Sequence, residues 1–281
     1  VLTLAQLRAL LGEHGVHLTK GLGQHFLADP NTAQKIVRLA ECAPGDRVLE
    51  IGPGAGSLTV GLLEAGVSVV ALELDRHMVP VLQAVLAEAD GGERVQIVNG
   101  DALRVDLNAL VAPGPARCVS NLPYNVATPI LARLLEETPA VTDMVLMVQR
   151  EVAERWCAGP GSGMYAAISV KIAYYASARI VGHVPPSVFL PPPKVDSALV
   201  RLKRHDPMPH AVANPSALFN LVRAGFAQRR KTLGRALRAV LGDAAASYCI
   251  AAGIDPRARA ETVALPEWIA LHDAVHQGEA T

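Results

Sequence analysis

The stretch Glu50-Ile-Gly-Pro-Gly-Ala-Gly56 decides how the first half of the chain is read. It ends an apolar, β-branched run, Arg47-Val-Leu-Glu-Ile-Gly52, and leads into a helical stretch opening at Ser57. Glycine accepts the positive φ of a tight strand-to-helix turn and lets the backbone come close to a ligand. The spacing is GxGxG. A dinucleotide fingerprint, GxGxxG, needs a third glycine at position 57 or 59, and those positions hold Ser57 and Thr59. The turn therefore suits a nucleoside-containing ligand better than a pyrophosphate-bridged dinucleotide, which disfavours a dehydrogenase.

Outward from this turn, short β-branched runs alternate with helical stretches. Strands are predicted at 47–52, 67–73, 94–98, 117–120 and 144–148, with helices at Ser57–Ala65, closed by Gly66, and at Arg76–Ala89. Such alternation implies βαβ units around a parallel sheet covered on both faces. Helix Tyr165–Tyr175 and strands 178–184 and 198–203, separated by the proline-rich stretch 185–193, complete a seven-stranded count. The polar, proline-bearing segment Lys203-Arg-His-Asp-Pro-Met-Pro209 marks a change of composition. Beyond it every periodic segment is helical: 215–226, 231–241, 244–252 and 266–275. The predicted division is an α/β domain over 1–205 and a small all-helical domain over 206–281. The opening Val1–Leu11 reads as an amphipathic helix and carries no signal-peptide pattern.

Two acidic residues sharpen the ligand reading. Glu73 ends the second strand, about 20 residues beyond the glycine turn, where a carboxylate can accept both ribose hydroxyls. Asp75 is its rival, but it directly precedes the helix over 76–89 and suits that helix's N-cap. Asp101, in Gly100-Asp-Ala-Leu103 after the third strand, can accept a hydrogen bond from an adenine amine. Gly52, Gly54, Glu73 and Asp101 are thus the candidate cofactor contacts.

After the fourth strand comes Asn121-Leu-Pro-Tyr124. An exocyclic adenine amine is a poor nucleophile because its lone pair is delocalised into the ring. Two acceptors aimed at its N–H bonds favour the tetrahedral geometry that attack requires. The Asn121 side-chain oxygen and the Leu122 carbonyl are suited to this, with Pro123 stiffening the turn that presents them. Tyr124 offers a face for an extruded base, worth about 1–3 kcal/mol. Phe189, entering Phe189-Leu-Pro-Pro-Pro-Lys-Val-Asp-Ser197, is either a second such platform or a core residue pinning the proline run.

Composition constrains the rest. The chain has 281 residues, 51% of them hydrophobic, and its formal charge is zero. No apolar run approaches the ~20 residues of a membrane span. Four cysteines lack CxxC spacing and nine histidines form no HxxxH or HExxH pattern, so neither a disulfide framework nor a metal site is expected. The charge is segregated, however. Arg223, Arg229, Arg230, Lys231, Arg235 and Arg238 follow one another with no acid among them, which suggests a phosphate-tracking surface. Lys194, Arg201, Lys203 and Arg204 are candidates to extend it.

Taken with their order and spacing, seven segments give the chain a resemblance to the KsgA/RsmA-type 16S rRNA adenine dimethyltransferases. They are Gly23–Leu27, Glu50–Gly56, Leu72–Asp75, Gly100–Leu103, Asn121–Ile130, Phe189–Ser197 and Phe226–Leu233. The resemblance implies a Rossmann-like class I methyltransferase fold, S-adenosyl-L-methionine as cofactor, and a cytoplasmic monomer. It implies that the chain dimethylates N6 of adjacent adenosines near the 3′ end of 16S rRNA, in the small ribosomal subunit or its precursor. It also implies that His25 and Leu27 line the cofactor pocket, that Gly52, Glu73, Asp101 and Asn121 contact the cofactor, and that Glu50 supports them. Related macrolide-resistance methyltransferases usually read Asn-Ile-Pro-Tyr, whereas this chain has Leu122, Ala127-Thr-Pro129 and Gly161-Ser-Gly-Met-Tyr165. The alternatives are a 23S rRNA adenine N6-methyltransferase, a DNA adenine methyltransferase, and a non-catalytic ribosome assembly factor with this fold.

Overall fold

The computed structural model of the chain describes residues 1–16, 25–228 and 230–279. Gly23 and Gln24 of the first matching segment, and Arg229 of the basic run, lie outside the described residues.

Nine strands occur among the described residues: β1 (Phe26–Leu27), β2 (Arg47–Ile51), β3 (Ser68–Glu73), β4 (Val95–Asn99), β5 (Ala116–Asn121), β6 (Val141–Gln149), β7 (Ala176–Val184), β8 (Phe189–Leu190) and β9 (Ser197–Arg204). Seven of them form one sheet in the order β4-β3-β2-β5-β6-β9-β7. The pairs β2–β3, β2–β5, β3–β4 and β5–β6 are parallel, and β6–β9 is antiparallel. Burial on both faces explains the largely apolar character of β2 and β3. From β2 the chain steps outward through β3 to β4, then returns to lay β5 on β2's other side. The crevice where that order reverses is the place for a ligand in such a sheet.

The chain divides into two compact units, one comprising Val1–Ala153 with Ala178–Arg204 and the other Glu154–Ser177 with His205–Thr281. The segment 154–177, assigned by sequence to the α/β part, thus belongs with the helical part. Its apolar residues account for this. Tyr165, Val170 and Tyr174 share a core with Phe219, Leu233, Trp268 and Leu271, and the Tyr165 hydroxyl donates to the Val263 carbonyl at 3.2 Å.

Three local expectations are corrected. The helix predicted at 76–89 spans Met78–Ala87, and Asp75 is not its N-cap; the Asp75 carboxylate instead accepts from His77 N–H at 2.9 Å in the preceding turn. The helix predicted at 231–241 is two short ones, Leu233–Ala236 and Arg238–Leu241. The amides of Leu233 and Gly234 are taken by the carbonyls of Ala258 and Pro256, so no helix can run back through them. A helix not foreseen, Pro30–Ala40, carries Asp29 as N-cap on Thr32 N–H at 2.8 Å and proline at its first position.

Two arginines considered for the basic surface hold the α/β unit together instead. Arg201 pairs with Asp143 at 2.8 Å and with Glu41. Arg204 donates to the carbonyls of Leu134, Leu135, Thr138 and Val141. Asp143 also accepts from Arg117 at 3.1 Å, and its side chain is only 12% exposed. Removing its carboxylate leaves two sheltered guanidinium groups short of a partner. Asp143→Ala is therefore expected to destabilise the protein by about 2–3 kcal/mol in urea unfolding. A change within about 0.5 kcal/mol, the scale of a solvent-exposed pair, would contradict this.

Candidate active site

At the end of β2 the chain reverses through Gly52, Gly54 and Gly56, all at positive φ. At Gly54, φ is +57°, and a Cβ would lie 2.7 Å from the Phe26 ring; at Gly56, φ is +86° and a Cβ would lie 2.8 Å from Leu82. Any side chain at these two positions would be strained and also collide. The turn delivers the chain into helix Ser57–Glu64.

Glu73, at the end of β3, is tied to this turn. Its carboxylate accepts from Gly54 N–H at 3.0 Å and from Asp75 N–H at 2.8 Å. Burial pushes the Glu73 pKa above the usual carboxylate value, an effect opposed by those two N–H donors. Behind it, Glu50 is 1% exposed and accepts from the Thr59 hydroxyl at 2.7 Å. Burial raises its pKa to about 8, so it is neutral near pH 7.

Asn121 ends β5 on the other side of the crevice. Its Nδ2 donates to the His25 carbonyl at 3.0 Å. Its Oδ1 is buried and has no hydrogen-bond partner among the described residues. The Ser57 hydroxyl is likewise buried and unpartnered, and it lines the same cavity. An unpartnered buried acceptor costs about 1–3 kcal/mol.

One cavity gathers most of the residues singled out from sequence. His25, Leu27, Glu50, Gly52, Gly54, Glu73, Asp101, Asn121, Leu122, Pro123 and Tyr124 all line it. Asp101 reaches it while accepting from Leu103 N–H at 2.8 Å. The His25 ring stacks on Tyr124 at 5.4 Å and 29°, and its Nδ1 lies 2.7 Å from the Pro191 carbonyl, to which it donates. The Tyr124 hydroxyl lies 2.5 Å from Ser197 Oγ.

Phe189 is not on the cavity wall. It is 3% exposed, belongs to the main core, and stands opposite Leu27 in the β1–β8 pair. Its burial agrees with the core reading of the two. Asp75, set aside from sequence as a helix N-cap, also lines the cavity, and sequence reasoning missed other contributors: Ser57 and Leu74 line the cavity, and Ser197 touches Tyr124. Ser57 could have been found as the first helical residue after the glycine turn. Ser197 carried no local signal, since 73 residues separate it from Tyr124.

In the helical unit, Arg223, Arg230, Lys231, Arg235 and Arg238 are exposed. Arg223 bonds Asn220 Oδ1, and Arg238 faces Asp243 at 3.9 Å. No described helix is long and apolar enough to cross a membrane.

Comparisons with known proteins bear on family and fold. A family model described as ribosomal RNA adenine dimethylase matches residues 16–277. A ribosomal RNA small subunit methyltransferase A from Cutibacterium acnes is 44% identical, over 100% of this chain and 96% of its own. Among solved structures, a dimethyladenosine transferase from Plasmodium falciparum superposes with TM-score 0.74 at 27% identity, covering 88% of this chain and 96% of its own. The 23S rRNA methyltransferase ErmE gives TM-score 0.67 at 26% identity, covering 90% and 100%. The fold is the Rossmann-like class I methyltransferase fold, and the chain belongs to the ribosomal RNA adenine dimethylase family.

Proposed function

We propose that this enzyme uses S-adenosyl-L-methionine to dimethylate N6 of adjacent adenosines near the 3′ end of 16S rRNA, in the small ribosomal subunit or its precursor. The observation that carries the reading is the unpartnered, buried Asn121 Oδ1, set at the end of β5 in the cavity that Glu73 and Asp101 also line.

The residues present fit this cofactor. Glu73 offers a carboxylate for ribose hydroxyls, Asp101 an acceptor for the adenine amine, and the Gly52–Gly54 backbone a surface with no side chain in the way. His25 and Leu27 close the cavity from the β1 side. When bound, the cofactor supplies an electrophilic methyl group on a sulfonium.

Asn121 Oδ1 and the Leu122 carbonyl accept from the two N6–H bonds, which concentrates the nitrogen lone pair for attack. The gain appears in the transition state, where the lone pair must leave conjugation. The nitrogen forms its bond to carbon as the carbon–sulfur bond breaks, and the proton on the new ammonium leaves to water. No general base is needed, because that ammonium is strongly acidic. A first methyl leaves one N–H, and the same steps replace it. Tyr124 supports the extruded base by stacking.

The exposed Arg230, Lys231 and Arg235, with Arg223 and Arg229, suit contacts with rRNA phosphates. They carry no base-reading motif, so substrate choice rests on rRNA shape and backbone charge. A monomer acting in the cytoplasm fits this role.

Methylation of small subunits lacking the mark tests the reading. Mass spectrometry is expected to find N6,N6-dimethyladenosine near the 3′ end of 16S rRNA; methylation of 23S rRNA or of DNA instead would reject it.

Asn121→Ala is expected to lower kcat by at least about 100-fold, the scale of a missing transition-state acceptor. Parental turnover in this variant would make the tetrad structural. Glu73→Ala is expected to weaken cofactor binding by about 1.5–3 kcal/mol in calorimetry, the scale of a hydrogen bond to a charged group. The raised Glu73 pKa adds a sign. Protonation removes the charged acceptor, so affinity is lost as pH falls through that raised value, at a higher pH than for an ordinary glutamate. In Glu73→Gln this acid-side loss should vanish; its persistence would assign the titration to another group.

Replacing Arg230, Lys231 and Arg235 by Gln is expected to flatten the salt dependence of rRNA binding by about 0.7–0.9 log units for each phosphate no longer neutralised. Cofactor affinity should not change. A salt slope that stays at the parental value would remove these residues from the rRNA surface.

A further inference from the structure

Tyr124 is held at more points than a stacking residue needs. Its hydroxyl lies 2.5 Å from Ser197 Oγ, and Ser197, the first residue of β9, is fully buried. Register in the β6–β9 pair sets Ser197 opposite Gln149, so the hydroxyl is fixed by the sheet and not by a loop. One face of the Tyr124 ring is covered by the His25 ring at 5.4 Å and 29°. His25 is itself held, its Nδ1 donating to the Pro191 carbonyl at 2.7 Å and its own carbonyl accepting from Asn121 Nδ2 at 3.0 Å. The phenol is therefore held at its tip by Ser197 and on one face by His25, and it lines the cavity.

We propose that Ser197 is a positioning residue for methyl transfer: its hydroxyl fixes the tilt of the Tyr124 ring, so that the stacked adenine presents its amine to Asn121 Oδ1. The proposal rests on the reading of Tyr124 as the base platform. A two-χ aromatic free at its tip can swing about χ1 and carry the stacked base with it. Misplacement by a fraction of an ångström at N6 weakens acceptance by Asn121 and the alignment with the incoming carbon. Fixing the ring before substrate arrives removes that search from the reaction step.

The second transfer is the more sensitive one. The unmodified amine offers two N–H bonds to two acceptors, whereas the monomethylated amine offers one. With a single hydrogen bond left to orient the nitrogen, the tilt of the base carries more of the alignment. Loosening Tyr124 should therefore slow the second methylation more than the first.

Single-turnover methylation of unmethylated small subunits at saturating cofactor, with Ser197→Ala, Tyr124→Phe, the double variant and Tyr124→Ala, tests this. Ser197→Ala and Tyr124→Phe are each expected to lower the rate about 10-fold, the scale of one hydrogen bond. The double variant should be no slower than either single one, because all three lack the same hydrogen bond. Cofactor Kd and the KM for subunits should stay within about twofold of the parent, since the loss falls on the reaction step. Monomethyladenosine should accumulate in all three, an effect that a purely stabilising role for Ser197 would not produce. Tyr124→Phe removes the same hydrogen bond from its other end and guards against the case in which Ser197→Ala fails to fold. Multiplying losses in the double variant, or parental rates and product ratios in the single ones, would overturn the positioning role while leaving Tyr124 as platform. A parental rate in Tyr124→Ala would instead overturn the platform reading itself.

Discussion

The hydrogen bond from Gly54 N–H to the Glu73 carboxylate joins the ends of β2 and β3 beside the crevice between β2 and β5, where the strand order reverses. It can form only if the chain leaves β2 through residues at positive φ, and only if nothing larger than hydrogen occupies Gly54, where Phe26 already fills the space. Once made, it orients a carboxylate into the crevice and starts helix Ser57–Glu64 beside it. Asn121 faces that carboxylate from the other neighbour of β2, since β5 pairs with β2 in parallel register. The cavity is thus a consequence of parallel strand order. A ligand spanning it touches the ends of three strands whose separation is fixed by the sheet.

This arrangement trades stability for preorganisation. Burial raises the pKa of both Glu73 and Glu50, which means that their charged forms are disfavoured where they stand. Two backbone donors compensate Glu73; Glu50 is compensated by the Thr59 hydroxyl. Asn121 Oδ1 and Ser57 Oγ have no such compensation among the described residues. Local conflicts of this kind concentrate at functional sites, because a ligand resolves them. Elsewhere in the same unit, Asn108 Oδ1 and Thr138 Oγ1 are also buried without a partner among the described residues, whereas Arg204 serves four carbonyls and Asp143 holds Arg117 and Arg201.

Much of this was legible in the sequence, for a physical reason. A buried parallel strand is apolar along most of its length and ends in a turn, so β2, β3 and the glycine turn wrote themselves into periodicity and spacing. Glu73, Asp101 and Asn121 could be placed because each stands at a strand's carboxyl end. What stayed hidden depended on contacts between distant segments. Tyr165–Tyr175 has a helical pattern that fits either unit, and only its packing with Phe219 and Trp268 assigns it. Arg201 and Arg204 look like members of a basic surface until Asp143 and the carbonyls of Leu134 and Thr138 are found beside them. Phe189 enters a proline run as a stacking residue would, yet it is buried in the core. The break before Leu233 comes from Ala258 and Pro256, some two dozen residues onward, which no helical propensity encodes.

The central claim is that Glu73 and the unpartnered Asn121 oxygen bound one nucleoside site at the reversal of strand order. A crystal structure with S-adenosylhomocysteine tests it most directly. The expected density runs along the glycine turn, with the ribose hydroxyls on Glu73, the adenine amine on Asp101, and the amino-acid end reaching the Asn121 side. Density seated elsewhere, or a ribose that leaves the Glu73 carboxylate bonded only to Gly54 and Asp75, would contradict it.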